Sequence, residues 1–215
     1  MITRFHAKYY ATLLSQQASG DDLESSSQSL LSSSLDINPH QIDAALFALN
    51  SPLSKGVVLT DEVGLGKTIE AGLVICQYWA IGKRKIIIIC PASLRRQWEA
   101  ELMDKFGIPS ESLDTKNHNA YLRDGKNPFS SKRAIICSYN FAAKCKAEVL
   151  THGFDLAVID EVHKLRNVYR KSSRTAADVR DALHGVKKLL LTATPFQNSL
   201  MEPVYLHYLY RYVLK

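Results

Sequence analysis

The stretch Gly56-Val57-Val58-Leu59-Thr60-Asp61-Glu62-Val63-Gly64-Leu65-Gly66-Lys67-Thr68-Ile69-Glu70-Ala71-Gly72 decides the fold. Its opening, Val57 to Leu59, is short and apolar and reads as a buried strand. A polar loop bearing Gly64 and Gly66 follows, and a helical pattern begins at Lys67. Strand, glycine loop, Lys-Thr and helix in that order make a cradle for phosphate. Glycines let backbone N–H groups turn inward, and the helix N-terminus adds positive potential. Lys67 can then reach terminal phosphates and Thr68 can ligate a magnesium ion. The strict pattern asks for a glycine separated from the Gly-Lys pair by four residues; Asp61 occupies that place. A glycine-bearing surface turn would match the loop but not the strand and helix that flank it.

At 215 residues the chain has room for one sizeable domain, or one domain with an appendage. A composition 46% hydrophobic and 22% charged is that of an ordinary globular protein. The net charge of +6 suits a polyanionic partner and equally suits solubility alone. Cys76, Cys90, Cys137 and Cys145 show no C-x-x-C spacing, so neither zinc nor a redox pair is indicated. Their apolar settings predict buried, reduced thiols. No apolar run approaches the ~20 residues of a membrane span, and the first residues lack a signal-peptide pattern. These features predict a cytoplasmic protein with no membrane partner.

Working outward, residues 1–18 carry Phe5, Tyr9 and Leu13 at helical spacing, and residues 19–34 are a serine-rich linker. Pro39 sits well at the start of a helix through Leu49, ended by Asn50-Ser51-Pro52. After the glycine loop, a helix from Thr68 to Ile81 closes at Gly82. Ile86 to Cys90 is an unbroken apolar run, the signature of a central parallel strand covered on both faces. A turn and a helix from Leu94 to Phe106 come next, with Trp98 and Leu102 on one side. Residues 107–132 read as loops around a short strand or helix. Ala134 to Cys137, Leu156 to Ile159 and Leu189 to Leu191 are further strands; helices reach about Leu150 and Leu183. Strands alternate with helices, and polar motifs follow the strands. The pattern predicts an α/β fold: an open, mostly parallel sheet in three layers, with its ligand at the carboxyl edge.

Hydrolysis of a nucleoside triphosphate needs a phosphate cradle, a metal and a group acting on the attacking water. Asp160 and Glu161 end an apolar strand, where a Walker-B pair belongs. Asp160 can hold magnesium, and Glu161 can act on the water. Adjacent acids also occur at ordinary helix starts, where they favour the dipole; the upstream phosphate loop gives this pair its catalytic reading. His163 and the Thr192-Ala193-Thr194 segment are candidates for relaying phosphate state, although His163 alone reads as a structural residue. The Gln41 amide can both donate to and accept from an adenine edge; by itself it reads as a solvent-facing helix residue. Arg95, Arg96, Lys164, Arg166, Arg170, Lys171 and Arg174 could contact nucleic-acid phosphates or form a solvated face.

The order NPHQ, DEVGLGKTIEAG, CPASLRRQW, CSYNF, DEVH, LTATPFQNSL resembles the first RecA-like lobe of Swi/Snf-type ATPases in helicase superfamily two. It is most similar to bacterial members of DEAD/DEAH-box type, among them the RNA-polymerase-associated ATPase group. The resemblance covers about residues 36–200, and the family's loop commonly begins Asp-Glu, as at Asp61. It implies a RecA-like P-loop lobe over 35–200, preceded by the segment 1–34 and followed by an atypical aromatic tail, 201–215. It implies adenine recognition at Gln41, and phosphate and magnesium binding at Gly64, Leu65, Gly66, Lys67 and Thr68. Walker-B roles fall to Asp160 and Glu161, with coupling through His163, Thr192 and Thr194. Contact with a duplex backbone is implied near Ser93, Arg95, Ser138 and Tyr139. The family tetrad is more often Asp-Glu-Ala-His; here Val162 stands third.

The expected function is therefore an ATP- and Mg2+-using, DNA-dependent translocase lobe, with double-stranded DNA as partner. The family's second lobe, which carries arginine fingers, is not recognisable in this sequence. Weak turnover alone is the expectation, with a second lobe or protein partner acting in trans. The alternatives are a non-catalytic nucleotide- or DNA-binding module completed by another chain, and an ATP-dependent protein remodeller.

Overall fold

A computed structural model describes residues 38–51, 56–61, 66–165 and 174–193. The helix expected over 1–18, the linker 19–34, Gly64, Leu65, residues 166–173, Thr194 and the tail 201–215 lie outside the described residues.

The first described helix, α1 (Pro39–Asn50), starts where Pro39 needs no N–H partner, and Gln41 Oε1 accepts from the Asn38 N–H at 3.0 Å. That bond is one half of a capping box. Strand β1 (Gly56–Asp61) precedes the glycine-bearing segment and α2 (Lys67–Ala80). Then come β2 (Ile86–Cys90), a 3-10 turn (Ala92–Leu94) and α3 (Arg95–Phe106). Residues 107–132 contain both a strand, β3 (Ser110–Ser112), and a helix, α4 (Thr115–Arg123). Asp114 caps α4 by accepting from the Lys116 and Asn117 N–H groups. Strand β4 (Ala134–Ser138) is followed not by one helix but by two, α5 (Tyr139–Lys144) and α6 (Lys146–His152). The inward-facing series Phe141, Ala142, Cys145 and Val149 runs through the break unchanged, so hydrophobic periodicity gives no sign of it. Strand β5 (Leu156–Ile159), a 3-10 turn (Val162–Leu165), α7 (Arg174–Ala182) and β6 (Lys187–Ala193) complete the described chain.

All six strands are parallel, in the order β1-β6-β5-β2-β4-β3. Ile86 to Ile89 are fully buried, as an unbroken apolar run requires when both faces are covered. Ile86, Ile88 and Cys90 pack with α1, α2 and α3; Ile87 and Ile89 pack with α5, α6 and α7. The result is the three-layer α/β architecture expected from the sequence. Each fully buried Ile or Leu contributes about 1.5–3 kcal/mol by leaving water.

Gly72 of α2 lies against the Phe106 ring of α3, so close that an added Cβ would stand 2.2 Å from Phe106 Cε2. The four cysteines are free and buried, as expected. Burial pushes the Cys76 and Cys90 thiols up to about 12 and Cys145 up to about 11, which keeps them protonated. Among the described residues no helix is long and apolar enough to cross a membrane.

The parallel order has one consequence for function. β6 lies between β1 and β5, so the carboxyl ends of the phosphate-loop strand and the Asp160 strand flank a single strand at one edge.

Candidate active site

Gly66 precedes α2 in a left-handed conformation, φ +92, which a residue with a Cβ adopts only at a cost. Its carbonyl accepts from the Ile69 N–H at 2.7 Å and the Glu70 N–H at 3.2 Å, closing the first turn of the helix. Lys67 and Thr68 therefore stand at the helix start, where the positive end of the dipole lies.

Opposite them, Asp160 continues β5: its N–H donates to the Ile89 carbonyl at 2.9 Å. The Trp98 indole N–H donates to Asp160 Oδ2 at 2.9 Å. The Tyr139 hydroxyl donates to the Asp160 carbonyl. Burial raises the Asp160 carboxyl above the ordinary aspartate range; the Trp98 hydrogen bond and the Lys67 charge act against that rise. Lys67 is thus close enough to act on Asp160 through the cleft between them.

Glu161 has φ +53, the left-handed region, and is the one described non-glycine residue found there. Such a conformation typically costs of order ~1–3 kcal/mol and is held by its surroundings. Glu161 Oε2 is buried and 3.1 Å from His163 Nδ1, an ion-pair distance without hydrogen-bond alignment. Strain and a buried carboxylate oxygen together mark a site.

A cleft of about 400 Å³ joins these parts, lined by Gly66, Lys67, Thr68, Ile69, Asp160 and Glu161 and, from the turn before α3 and from α3, by Leu94, Gln97, Trp98, Glu101 and Lys105. Lys67, the Thr68 hydroxyl and the Asp160 and Glu161 carboxylates on one cleft are the donor set for a metal-bound polyphosphate. A divalent cation beside the half-buried Asp160 would favour its charged carboxylate form against the effect of burial, so the residues present fit magnesium.

The other expected site residues that are described do not line this cleft. Gln41 is buried at 2% exposure, not solvent-facing, and its Nε2 lies where a Gly66 Cβ would be. Thr192 is buried on β6 and pairs in register with Thr60 of β1. Ser93 is exposed on the 3-10 turn. Arg95 donates to the carbonyls of Ala92 and Leu113, both at 3.3 Å, and Ser138 Oγ accepts from the Phe141 N–H as the cap of α5. Arg95, Ser138 and Tyr139 therefore have internal partners.

Sequence reading placed Trp98 only on the packed side of a helix and did not single out Gln97, Glu101 or Lys105. Their spacing of three and four along α3 put all four on one face. Away from the cleft, His118 Nε2 and Glu148 Oε2 are 2.7 Å apart, with Cys145 Sγ 3.9 Å from the same nitrogen. The hydrogen bond and the protonated thiol satisfy that trio without a cation.

Comparison with known proteins gives three results. A model of the SNF2-related domain matches residues 13–210. The RNA polymerase-associated protein RapA of Yersinia pseudotuberculosis is 36% identical over 164 residues, 74% of this chain and 17% of the relative. That of Yersinia enterocolitica is 37% identical over the same share. This chain thus spans about a sixth of the length of these relatives, 17%. Among solved structures, the Sulfolobus solfataricus SWI2/SNF2 ATPase core in complex with dsDNA matches with a TM-score of 0.62 at 21% identity. That match covers 80% of this chain and 35% of the other. It establishes likeness of fold, a RecA-like core.

Proposed function

The chain belongs to the SNF2-related family, and on that premise we propose that residues 35–200 form the ATP-binding first lobe of a DNA-dependent, helicase-like ATPase. The observation that carries this reading is the single cleft shared by Lys67, Thr68, Asp160 and Glu161, which lie far apart in sequence.

Lys67 and the helix start bind the terminal phosphates, and Gly66 brings the main chain close to them. Thr68 and Asp160 hold magnesium, which when bound draws charge from the phosphate oxygens. Glu161 orients and deprotonates the attacking water. Gln41 reads adenine, while His163, Thr192 and Thr194 relay the phosphate state to the rest of the molecule. Gly64 and Leu65 complete the cradle. On this reading duplex DNA is the partner, met near Ser93, Arg95, Ser138 and Tyr139; the structural neighbour's complex with dsDNA supports the class of partner. On this reading the protein works in the bacterial cytoplasm.

A second reading is favoured by one detail. The described lining of the cleft includes two lysines and no arginine. An arginine finger is worth ~10³–10⁵ in rate where present. This lobe then turns over slowly by itself and works as a binding module until a second lobe or partner supplies that group.

The test is calorimetry with Mg·ATP, together with ATPase rates with and without duplex DNA. Binding that needs Mg2+ and Lys67, with turnover raised by duplex DNA, is expected. No heat of binding from the wild-type protein would overturn both readings; binding without DNA-stimulated turnover selects the second.

A further inference from the structure

We infer that Trp98 is a positioning residue for the Asp160 carboxylate: it holds one carboxylate oxygen so that the other is presented to the metal of a Mg·nucleotide. The inference rests on the proposed nucleotide site and names a residue that this site depends on.

Trp98 has one polar atom, the indole Nε1–H, and that atom is a donor only. It donates to Asp160 Oδ2 at 2.9 Å. The ring is 2% exposed and packed in the core between α2, α3 and the sheet, so its orientation is set by packing rather than by the bond. An indole neither titrates nor accepts, so it fixes the same oxygen at every pH. The main chain of Asp160 is held as well, by its N–H to Ile89 and by the Tyr139 hydroxyl on its carbonyl. With backbone and one oxygen fixed, the carboxylate has little rotational freedom left. It shares the cleft wall with Thr68. Partners that fix a metal ligand typically govern metal affinity by 10–100-fold when removed, because the ligand must otherwise be ordered on binding. Satisfying a buried indole N–H would need only some acceptor. The bond instead falls on the acid that follows β5.

The experiment follows the Mg2+ dependence of nucleotide binding in Trp98→Phe, which keeps an aromatic ring and deletes the donor. The Mg2+ concentration at half-saturation should rise about 10-fold or more, a far larger change than any in affinity for the nucleotide without metal. A purely structural tryptophan would lower the melting temperature and leave that half-saturation in place, which would overturn the inference. Should Trp98→Phe not fold, the wild-type residue serves as its own reporter. The chain has two tryptophans, and Trp79 stacks with the Arg84 guanidinium at 5.6 Å rather than lining the cleft. In Trp79→Phe, Mg2+ added to the nucleotide-loaded protein should shift Trp98 emission with the calorimetric midpoint, and the added Asp160→Asn should abolish the shift. An emission that ignores Mg2+ sinks the inference alone. Wild-type protein that binds no Mg·nucleotide sinks it together with the proposed function.

Discussion

Gln41 and Gly66 are in contact: a Cβ built on Gly66 would fall 2.2 Å from Gln41 Nε2. The helix that carries Gln41 thus packs against the residue from which α2 starts. Gly66 is doubly constrained, by that contact and by φ +92. Gly66→Ala should cost ~1–2 kcal/mol from the left-handed backbone alone, and more from the overlap. Gln41→Ala removes the overlap and not the backbone term. In a double-mutant cycle read by urea unfolding, the pair should therefore be less destabilised than the sum, with a coupling of about 0.5–3 kcal/mol. Strict additivity would mean that the two residues do not touch.

Gly72 of α2 and Phe106 of α3 are packed as tightly. Gly72→Ala gains about 1 kcal/mol of helix propensity. It also drives a methyl group to 2.2 Å from two Phe106 ring carbons, Cε2 and Cζ. Overpacking of that kind costs ~1–3 kcal/mol, so net destabilisation is expected. Phe106→Leu should relieve part of it in the double variant. A Gly72→Ala protein that melts above wild type would show that α2 and α3 part easily.

Much of this arrangement was legible in the sequence because it depends on patterns that side-chain packing does not overrule. The run Ile86 to Cys90 fixed a strand buried on both faces, and Gly66-Lys67-Thr68 fixed the loop-to-helix step. The Asp160–Trp98 bond was not legible, because it joins residues 62 positions apart through a helix rotation that no local pattern specifies. The burial of Gln41 was not legible for the same reason: polar residues are usually exposed, and the packing of α1 on α2 buries this one. The break at Cys145 escaped notice because the buried positions keep their helical spacing across it.

The half-buried Asp160 makes stability depend on pH. Burial, chiefly, raises its carboxyl above the ordinary aspartate value of about 4. A raised value in the folded state means that folding favours the protonated acid. Its contribution is complete below the unfolded value and is lost as pH rises through the folded one. Above that window Asp160→Asn should stabilise the ligand-free protein, since the amide oxygen can still accept from Trp98. The gain should vanish as pH falls to about 4. Urea midpoints of the two proteins across pH 3–8 give the check (a range spanning ordinary carboxylate titration, about 4). A variant less stable than wild type at neutral pH would mean that Lys67 outweighs burial.

Glu161 and His163 can be separated by their effects. Glu161→Gln keeps the shape of the side chain but removes its basicity, so nucleotide should bind within a few-fold of wild type. Turnover should fall by roughly 10²–10⁴, the usual worth of a positioned general base. His163→Ala acts differently. It removes the imidazole 3.1 Å from Glu161 Oε2 and leaves Glu161 in the strained φ +53 geometry without it. If His163 only supports Glu161, its removal lowers the rate less than Glu161→Gln does, and the double variant is no slower than Glu161→Gln alone. If His163 instead transmits the phosphate state, its loss should leave the rate without DNA nearly intact and abolish the stimulation by duplex. Single-turnover rates with and without duplex, for the two single variants and the double, distinguish these cases. A Glu161→Gln protein that hydrolyses ATP at the wild-type rate would remove this carboxylate from the chemistry.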